Sequence, residues 1–175
     1  PSQAAKAMSV YARQICYEDL PAVDSSKDPA RMMRVLRSLS RNESTLASRK
    51  VIARDMKEFD DDTISEDTVG EYISVLDRMC LIENQGAFNP NLRSSVRVGK
   101  TPKRHLTDPA LAISALGLTK EMLLDDLETF GFMFEAMCER DLQIYAYVNG
   151  DNLYHYRDGK NREIDAVVEM PDGRW

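Results

Sequence analysis

The sequence predicts an α+β protein, with helices through most of the first two-thirds of the chain and strands concentrated near its end. Two observations support this class. Apolar residues recur at helical spacing behind capping residues, most clearly from Ser65 to Met79. After Arg140, short alternating runs are separated by Asn149-Gly150-Asp151 and Asp158-Gly159, which is typical of strands joined by tight turns.

Capping residues mark where several helices begin. Asp28 precedes Pro29, so it can cap a helix whose first position tolerates proline. Ser65 can cap the helix that ends near Met79, and Thr63 is the alternative start of a capping box. The helical segments predicted from apolar spacing and caps are 3–20, 29–41, 49–59, 65–79, 110–116 and 123–140.

Strands are predicted in two groups. A strand that begins at Leu81 turns at 86–91 and returns over 93–98, and three helices before such a hairpin give the order of a winged helix-turn-helix domain. The second group is a three-stranded meander over 142–148, 153–157 and 162–169. We therefore predict an N-terminal helix and connector at 1–24, a winged-helix domain at 25–118 and a second α/β unit at 119–175.

Composition limits the classes of function. The 175-residue chain carries a formal net charge of −6, so binding to nucleic acid would need a local basic patch. Apolar runs stay below the length of about 18 residues that a membrane span requires, and the beginning lacks a signal-peptide pattern. Three scattered cysteines indicate reduced thiols and a cytoplasmic protein: Cys16, Cys80 and Cys138. Because the first residue is Pro1, we expect an excised fragment or a processed chain.

Two short patterns are more consistent with ordinary structure than with a site. Gly99-Lys100-Thr101 resembles the end of a phosphate-binding loop, but Ser94 stands where that loop needs glycine and Pro102 follows where a helix should begin. His105 and His155 are far apart and lack metal-ligand spacing, so we expect packing or surface roles for both.

Charged residues near the predicted hairpin suggest where a partner could bind. The helix 65–79 exposes mainly acids, which disfavours insertion into the major groove of DNA. Basic residues occur instead in and after the hairpin: Arg93, Arg97, Lys100, Lys103 and Arg104. They could contact a nucleic-acid backbone, or form a solvated loop or a docking surface for another part of the protein.

Acidic residues of the last quarter are the candidate catalytic and metal-binding groups. Strict alternation places Glu163, Asp165, Val167 and Glu169 on one face of their strand. Glu135 shares a helix face with Glu128 and Glu139. Plain solvent exposure explains both patterns, and the functional alternative is that Glu135 and Asp165 converge on Mg²⁺, which prefers oxygen ligands. Such an ion would activate water and stabilise charge on a phosphodiester.

Several stretches occur in an order that resembles a known family. They are Ile64-Ser65-x-x-Thr68-Val69-x-x-Tyr72-Ile73-x-x-Leu76, Leu81-Ile82, Lys103-x-x-Leu106-x-Asp108-Pro109-Ala110-Leu111, Gly131-Phe132-x-Phe134-Glu135, Tyr154-x-Tyr156-Arg157 and Glu163-Ile164-Asp165. From about Tyr17 onward the chain is similar to the uncharacterised C-terminal region of AAA-type ATPases predicted in bacteria and archaea.

The resemblance implies that 119–175 is part of a PD-(D/E)xK restriction-endonuclease-like domain. In that fold a helix Glu, a strand Asp and a following Glu-x-Lys form the site; Glu135 and Asp165 match the first two, and Glu163 is a further candidate. Glu169 is followed by Met170 and Pro171, so the third motif is absent and we expect this chain to be inactive by itself. ATP would bind only to an N-terminal ATPase domain outside this chain, which would be its partner together with DNA or another protein. The alternative is a non-catalytic winged-helix domain that docks the ATPase domain or a protein partner.

Overall fold

The computed structural model describes residues 2–57 and 64–175, which form a mainly helical protein with a mixed four-stranded sheet. This confirms the α+β class. The helices are α1 (Ser2–Gln14), α2 (Leu20–Val23), α3 (Pro29–Arg41), α4 (Arg49–Lys57), α5 (Glu66–Arg78), α6 (Val96–Gly99), α7 (Pro109–Ala115), α8 (Lys120–Asp125) and α9 (Leu127–Asn149), and a π-helical turn, Ile15–Asp19, joins α1 to α2. The strands are β1 (Ile82–Ala87), β2 (Lys103–Leu106), β3 (Asn152–Arg157) and β4 (Glu163–Glu169).

The predicted caps begin their helices. Asp28 accepts a hydrogen bond from the amide of Arg31 at 2.6 Å, and Ser65 accepts one from the amide of Thr68 at 3.1 Å. Each bond satisfies a donor that the first helical turn would otherwise leave unpaired. The alternative cap at Thr63, the end of the helix predicted for 49–59 and the acidic run at 60–62 involve positions outside the described residues.

The hydrophobic core lies among α1, α3, α5 and α7. Its fully buried side chains include Ile15, Leu20, Met32, Leu36 and Leu76, each at most 1% exposed. Burial of each such side chain contributes about 1.5–3 kcal/mol. The core extends to Ile82 and Leu106, which are paired across β1 and β2, so it fixes the position of these two strands.

The sheet has the order β2-β1-β3-β4. β1 is antiparallel to β2 and parallel to β3, and β3 is antiparallel to β4. A separate bridge joins Thr45, between α3 and α4, to Arg104 on β2. Strands from both sides of the boundary predicted at 118/119 therefore share one sheet, which brings Lys103 of β2 near residues of α9 and β4.

The return strand predicted over 93–98 is wrong. This segment contains α6, and the strand that pairs with β1 comes later, as β2. Asn89 and Asn91 each accept a hydrogen bond from the amide two residues ahead, at 2.9 and 3.0 Å. These side-chain bonds hold the backbone in turns and compete with a strand ladder.

The strand predicted over 142–148 is also wrong, so the meander has two strands rather than three. α9 continues through this region to Asn149 and ends at Gly150, whose φ of 77° is the left-handed conformation typical of a helix C-terminus. Ile144, Tyr147 and Val148 favour strands by intrinsic preference. The helix prevails because Ala136, Glu139 and Ala146 keep buried positions at helical spacing.

β4 carries an irregularity that changes which side chains share a face. Tyr154 and Tyr156, two residues apart on β3, pair with Val167 and Ile164, three residues apart on β4. One extra residue on β4 therefore reverses the alternation in the middle of the strand. The predicted common face of Glu163, Asp165, Val167 and Glu169 is wrong for this reason. Asp165 and Glu169 lie on opposite faces of the sheet.

Candidate functional site

A buried lysine is the centre of the candidate site. Lys103 begins β2, pairs with Gln85 of β1 and has a side chain that is only 1% exposed. Its ammonium group donates hydrogen bonds to Glu135, to Glu139 at 2.9 Å and to Asp165 at 3.2 Å. Three carboxylates from two separate elements thus converge on one cation.

Local structure explains this convergence. Glu135 and Glu139 are four residues apart on α9, so they project from the same face of the helix. Asp165 lies next to the irregularity of β4, and its backbone carbonyl accepts a hydrogen bond from Gln85 Nε2 at 2.8 Å. The register shift therefore turns Asp165 towards α9, and Gln85 fixes its backbone beside Lys103.

A buried polar network supports the inner side of the cluster. His105 follows Lys103 on the same face of β2, with Nδ1 at 3.2 Å from Glu43 Oε1 and Nε2 at 3.1 Å from Gln85 Oε1. Glu43 is 1% exposed and also accepts hydrogen bonds from the amide of Leu106 at 3.1 and 3.3 Å. Burial of these groups is favourable only because they are hydrogen-bonded. Glu43 lies in a segment that the sequence indicates only as a helix break, so no local pattern could have identified it.

Charge is unevenly distributed between the two sides of the cluster. Burial acts to lower the pKa of Lys103, but the bonds to Glu135 and Glu139 outweigh it and raise the pKa above its usual value. Burial raises the pKa of Glu139, against the opposing effects of His105 and Lys103. The side chain of Glu139 is 4% exposed, whereas those of Glu135 and Asp165 are 28% and 56% exposed. The two predicted acids therefore form the solvent-accessible side of a closed ion-pair cluster.

The structure brings Glu135 and Asp165 together and places Glu163 elsewhere. Glu163 lies 4.0 Å from the guanidinium group of Arg157, at the beginning of β4. Lys100 donates a hydrogen bond to the backbone carbonyl of Arg157 at 2.5 Å. These contacts belong to the end of the β3–β4 hairpin, next to the cluster around Lys103.

The basic residues predicted to contact nucleic acid do not form one surface: Arg93, Arg97, Lys100, Lys103 and Arg104. Lys103 is enclosed by carboxylates. Arg97 lies on the opposite face of the sheet and donates two hydrogen bonds to Glu169, at 2.6 and 3.1 Å. Arg104 donates to Asn84 at 3.0 Å, and burial lowers its pKa. The exposed Arg93 and half-buried Lys100 remain on or near the loop after β1.

The donor atoms at the cluster fit a hard divalent cation in their chemistry. Glu135 and Asp165 offer carboxylate oxygens, which Mg²⁺ and Mn²⁺ prefer. Among the residues that the structure describes, no group of three or more His, Cys, Asp and Glu side chains is arranged to hold a metal ion. Lys103 supplies the positive charge that these oxygens share, so a divalent ion bound by Glu135 and Asp165 would compete with its ammonium group.

No helix in 2–57 or 64–175 has the combined length and apolarity needed to cross a bilayer.

A search of curated proteins and a search of solved structures both gave no match. A family model described as "Domain of unknown function (DUF8612)" matches residues 1–122. The matched region contains Lys103, His105 and Glu43 but ends before Glu135 and Asp165. Since the match covers more than half of the chain, the protein belongs to the DUF8612 family.

Proposed function

We propose that the protein is a nuclease-like module in which Glu135 and Asp165 hold a divalent cation that acts on a phosphodiester. The observation that supports the proposal is the contact of both acids with the Lys103 ammonium group, from a helix and a strand 30 residues apart in sequence. Such a pair is the arrangement that the resemblance to the PD-(D/E)xK fold leads us to expect. Exposure of Asp165 gives a substrate access to it.

Each residue of the cluster has a distinct role in this proposal. Glu135 and Asp165 bind and orient the ion, which when bound activates water and neutralises charge on the phosphodiester. Lys103, whose pKa is raised, stays protonated at neutral pH and contributes positive charge rather than acting as a base. Glu139 and Gln85 position Lys103 and Asp165.

The surrounding architecture supports a place for this module within an ATPase. Helices α3, α4 and α5 followed by β1 and β2, with the Thr45–Arg104 bridge, have the element order of a winged helix. The exposed acids of α5 favour a protein surface over DNA as the partner of that helix. We propose that the winged helix docks the ATPase domain, which binds ATP, and that the carboxylate cluster faces the nucleic acid.

Calorimetric titration with Mn²⁺ tests the cation site. We expect one saturable binding event in the wild type that Asp165→Asn and Glu135→Gln each abolish. Asp172→Asn is the matched control, because Asp172 has a similarly exposed side chain (55%) and lies outside the cluster. Indistinguishable isotherms for wild type and Asp165→Asn would refute the proposed site.

A second candidate function is a non-catalytic interaction domain, which the outer face of α9 favours. Phe130 and Phe134 stack there with ring centroids 6.4 Å apart, and Phe134 and Tyr145 on the same face are 54% and 63% exposed. Exposed apolar surface of this kind often marks a contact with another protein. Under this alternative, Phe134→Ser prevents co-elution with the purified ATPase domain in gel filtration, whereas Asp165→Asn leaves co-elution unchanged.

A further inference from the structure

A groove of about 630 Å³ lies between the loop that follows β1 and the turn that joins β3 to β4. Lys100 lines one wall, and Tyr156, Arg157 and Asp158 line the other. The bond from Lys100 Nζ to the Arg157 carbonyl connects the two walls. We call this feature the hairpin groove.

Positive charge is concentrated around the hairpin groove, although the whole chain has a net charge of −6. Lys100 and Arg157 line it, and the adjoining turn adds Lys160 and Arg162. The acid of the groove, Asp158, is already neutralised: its Oδ2 accepts a hydrogen bond from Arg162 Nε at 2.6 Å. Its pKa is lowered, first by the bonds from the backbone and side chain of Arg162. The groove therefore keeps an excess of cations.

Two exposed cations lie in the chain segments that flank the groove. Lys160 in the turn and Arg93 in the loop after β1 are both exposed. Within the described part of the chain, neither forms an ion pair with a carboxylate. Partnerless cations beside a groove attract the phosphates of a nucleic acid without the need to break an existing ion pair.

The groove also contains an aromatic side chain. Tyr156 is half-buried in its wall, next to Arg157. Combined cations and aromatic rings are typical of single-strand binding, because phosphates contact the cations while an unpaired base stacks on the ring. In a duplex the bases are already stacked on each other, so a recessed ring has no base to contact.

The hairpin groove lies at the end of the sheet where β4 begins, and its Tyr156 lies on the face opposite to Asp165. The turn that forms its wall leads directly into β4, where Glu163 contacts Arg157 and Asp165 contacts Lys103 two residues later. We propose that the hairpin groove binds single-stranded nucleic acid, which reaches Asp165 by passing around the end of the sheet where β4 begins. This inference rests on the proposed function and specifies its substrate class.

Fluorescence anisotropy with a fluorescein-labelled 12-nucleotide oligothymidine tests the groove in buffer containing EDTA, so that no divalent cation contributes. The double variant Arg93→Gln/Lys160→Gln should weaken binding roughly 10- to 30-fold at 0.1 M salt, since each lost phosphate contact reduces the log–log salt slope by about 0.7. Tyr156→Leu should weaken binding at least about fivefold through lost base stacking. Lys120→Gln, a change at an exposed lysine of α8, should leave affinity unchanged.

Three results would overturn the groove proposal: no binding by the wild type, equal loss in Lys120→Gln, or equal affinity for the matched duplex with no effect of Tyr156→Leu. Circular dichroism of each variant establishes that the fold is intact. The Mn²⁺ titration separates this proposal from the proposed function. Mn²⁺ binding that needs Asp165, without oligonucleotide binding, rejects the groove alone, whereas oligonucleotide binding without Mn²⁺ binding rejects the cation site alone.

Discussion

Replacement of Lys103 by methionine should destabilise the folded protein strongly while conserving the approximate length of the side chain. Lys103 is 1% exposed and is the shared counter-charge of Glu135, Glu139 and Asp165. Its loss leaves three carboxylates close together without their cation. Removal of one partner from a buried ion pair typically costs about 3–5 kcal/mol.

The three contacts of Lys103 contribute unequally to this cost. Asp165 is 56% exposed, so solvent screens its interaction and the contribution is small. Glu139 is 4% exposed and cannot become hydrated without movement of α9, so most of the penalty arises there. For a protein of this length, about 3–5 kcal/mol corresponds to a fall in Tm of roughly 6–20 °C.

The penalty should also depend on pH. The folded-state pKa of Glu139 is raised above its unfolded value. Lys103 opposes that rise, so the loss of Lys103 must raise the pKa of Glu139 further. A raised carboxyl pKa favours folding at low pH, where the group is protonated, and this contribution is lost as pH rises through the folded-state pKa. The Tm difference between wild type and Lys103→Met should therefore be smaller at pH 5 than at pH 7.5.

Thermal unfolding followed by circular dichroism at both pH values measures these effects. The double variant Lys103→Met/Glu139→Gln should be more stable than Lys103→Met alone, because it also removes the buried carboxylate that has lost its counter-charge. Lys160→Met is the matched control at an exposed lysine and should change stability by less than about 0.5 kcal/mol. A Lys103→Met protein with the Tm of wild type, or with a deficit independent of pH and of Glu139, would refute the reasoning.

Further predictions concern groups outside the cluster. Arg97→Ala should cost about 2 kcal/mol by chemical denaturation at pH 7, because it removes two hydrogen bonds to Glu169. The bond from Arg97 lowers the pKa of Glu169, so the stability that this bond contributes is present above the ordinary carboxyl pKa. The stability difference between wild type and Arg97→Ala should therefore shrink as pH falls below about 4. A difference that stays constant with pH would contradict this. His155 is fully buried, and burial followed by Lys100 and Lys103 lowers its pKa to about 4. Its ring nitrogens make no well-formed hydrogen bond among the described residues, and the backbone of Thr101 opposes the lowering of its pKa only in part, so His155→Leu should leave stability nearly unchanged at pH 7. Because a depressed histidine pKa destabilises the fold as pH falls from 6.5 towards 4, this variant should unfold at a higher temperature than wild type at pH 5, and a lower Tm there would contradict the prediction.

Local signals predicted α3, α5 and α7 closely, but the single helix predicted over 123–140 is two helices, α8 and α9, divided at Asp126. Local signals failed where long-range packing determines structure. Asp28 and Ser65 are caps that act within their own first turn, so spacing in the sequence was sufficient to find them. The segment 142–148 has strand-forming side chains, yet it completes α9 because burial of Ala146 against the rest of the protein outweighs intrinsic preference. Intrinsic strand preference does not show which side chains the folded protein will bury.

The candidate site was also predicted only where local signals were sufficient. The sequence indicated Glu135 and Asp165 as a pair, and the structure places both on one ammonium group. The sequence placed Lys103 in an exposed basic segment, as a nucleic-acid contact, part of a solvated loop or part of a docking surface, because a lysine in such a segment normally faces solvent. Its burial depends on the pairing of β2 with β1 and on the register shift in β4, both of which are tertiary features. For the same reason, Glu43 and Glu139 could not be assigned to the site from spacing.

Paramagnetic broadening of ¹H–¹⁵N resonances by substoichiometric Mn²⁺ tests the central claim most directly, because it reports where the ion binds. Broadening should be confined to amides near Glu135, Asp165 and Lys103, and it should disappear in Asp165→Asn. Broadening centred instead on other exposed carboxylates, such as Asp172, or unchanged by Asp165→Asn, would contradict a cation site at this cluster.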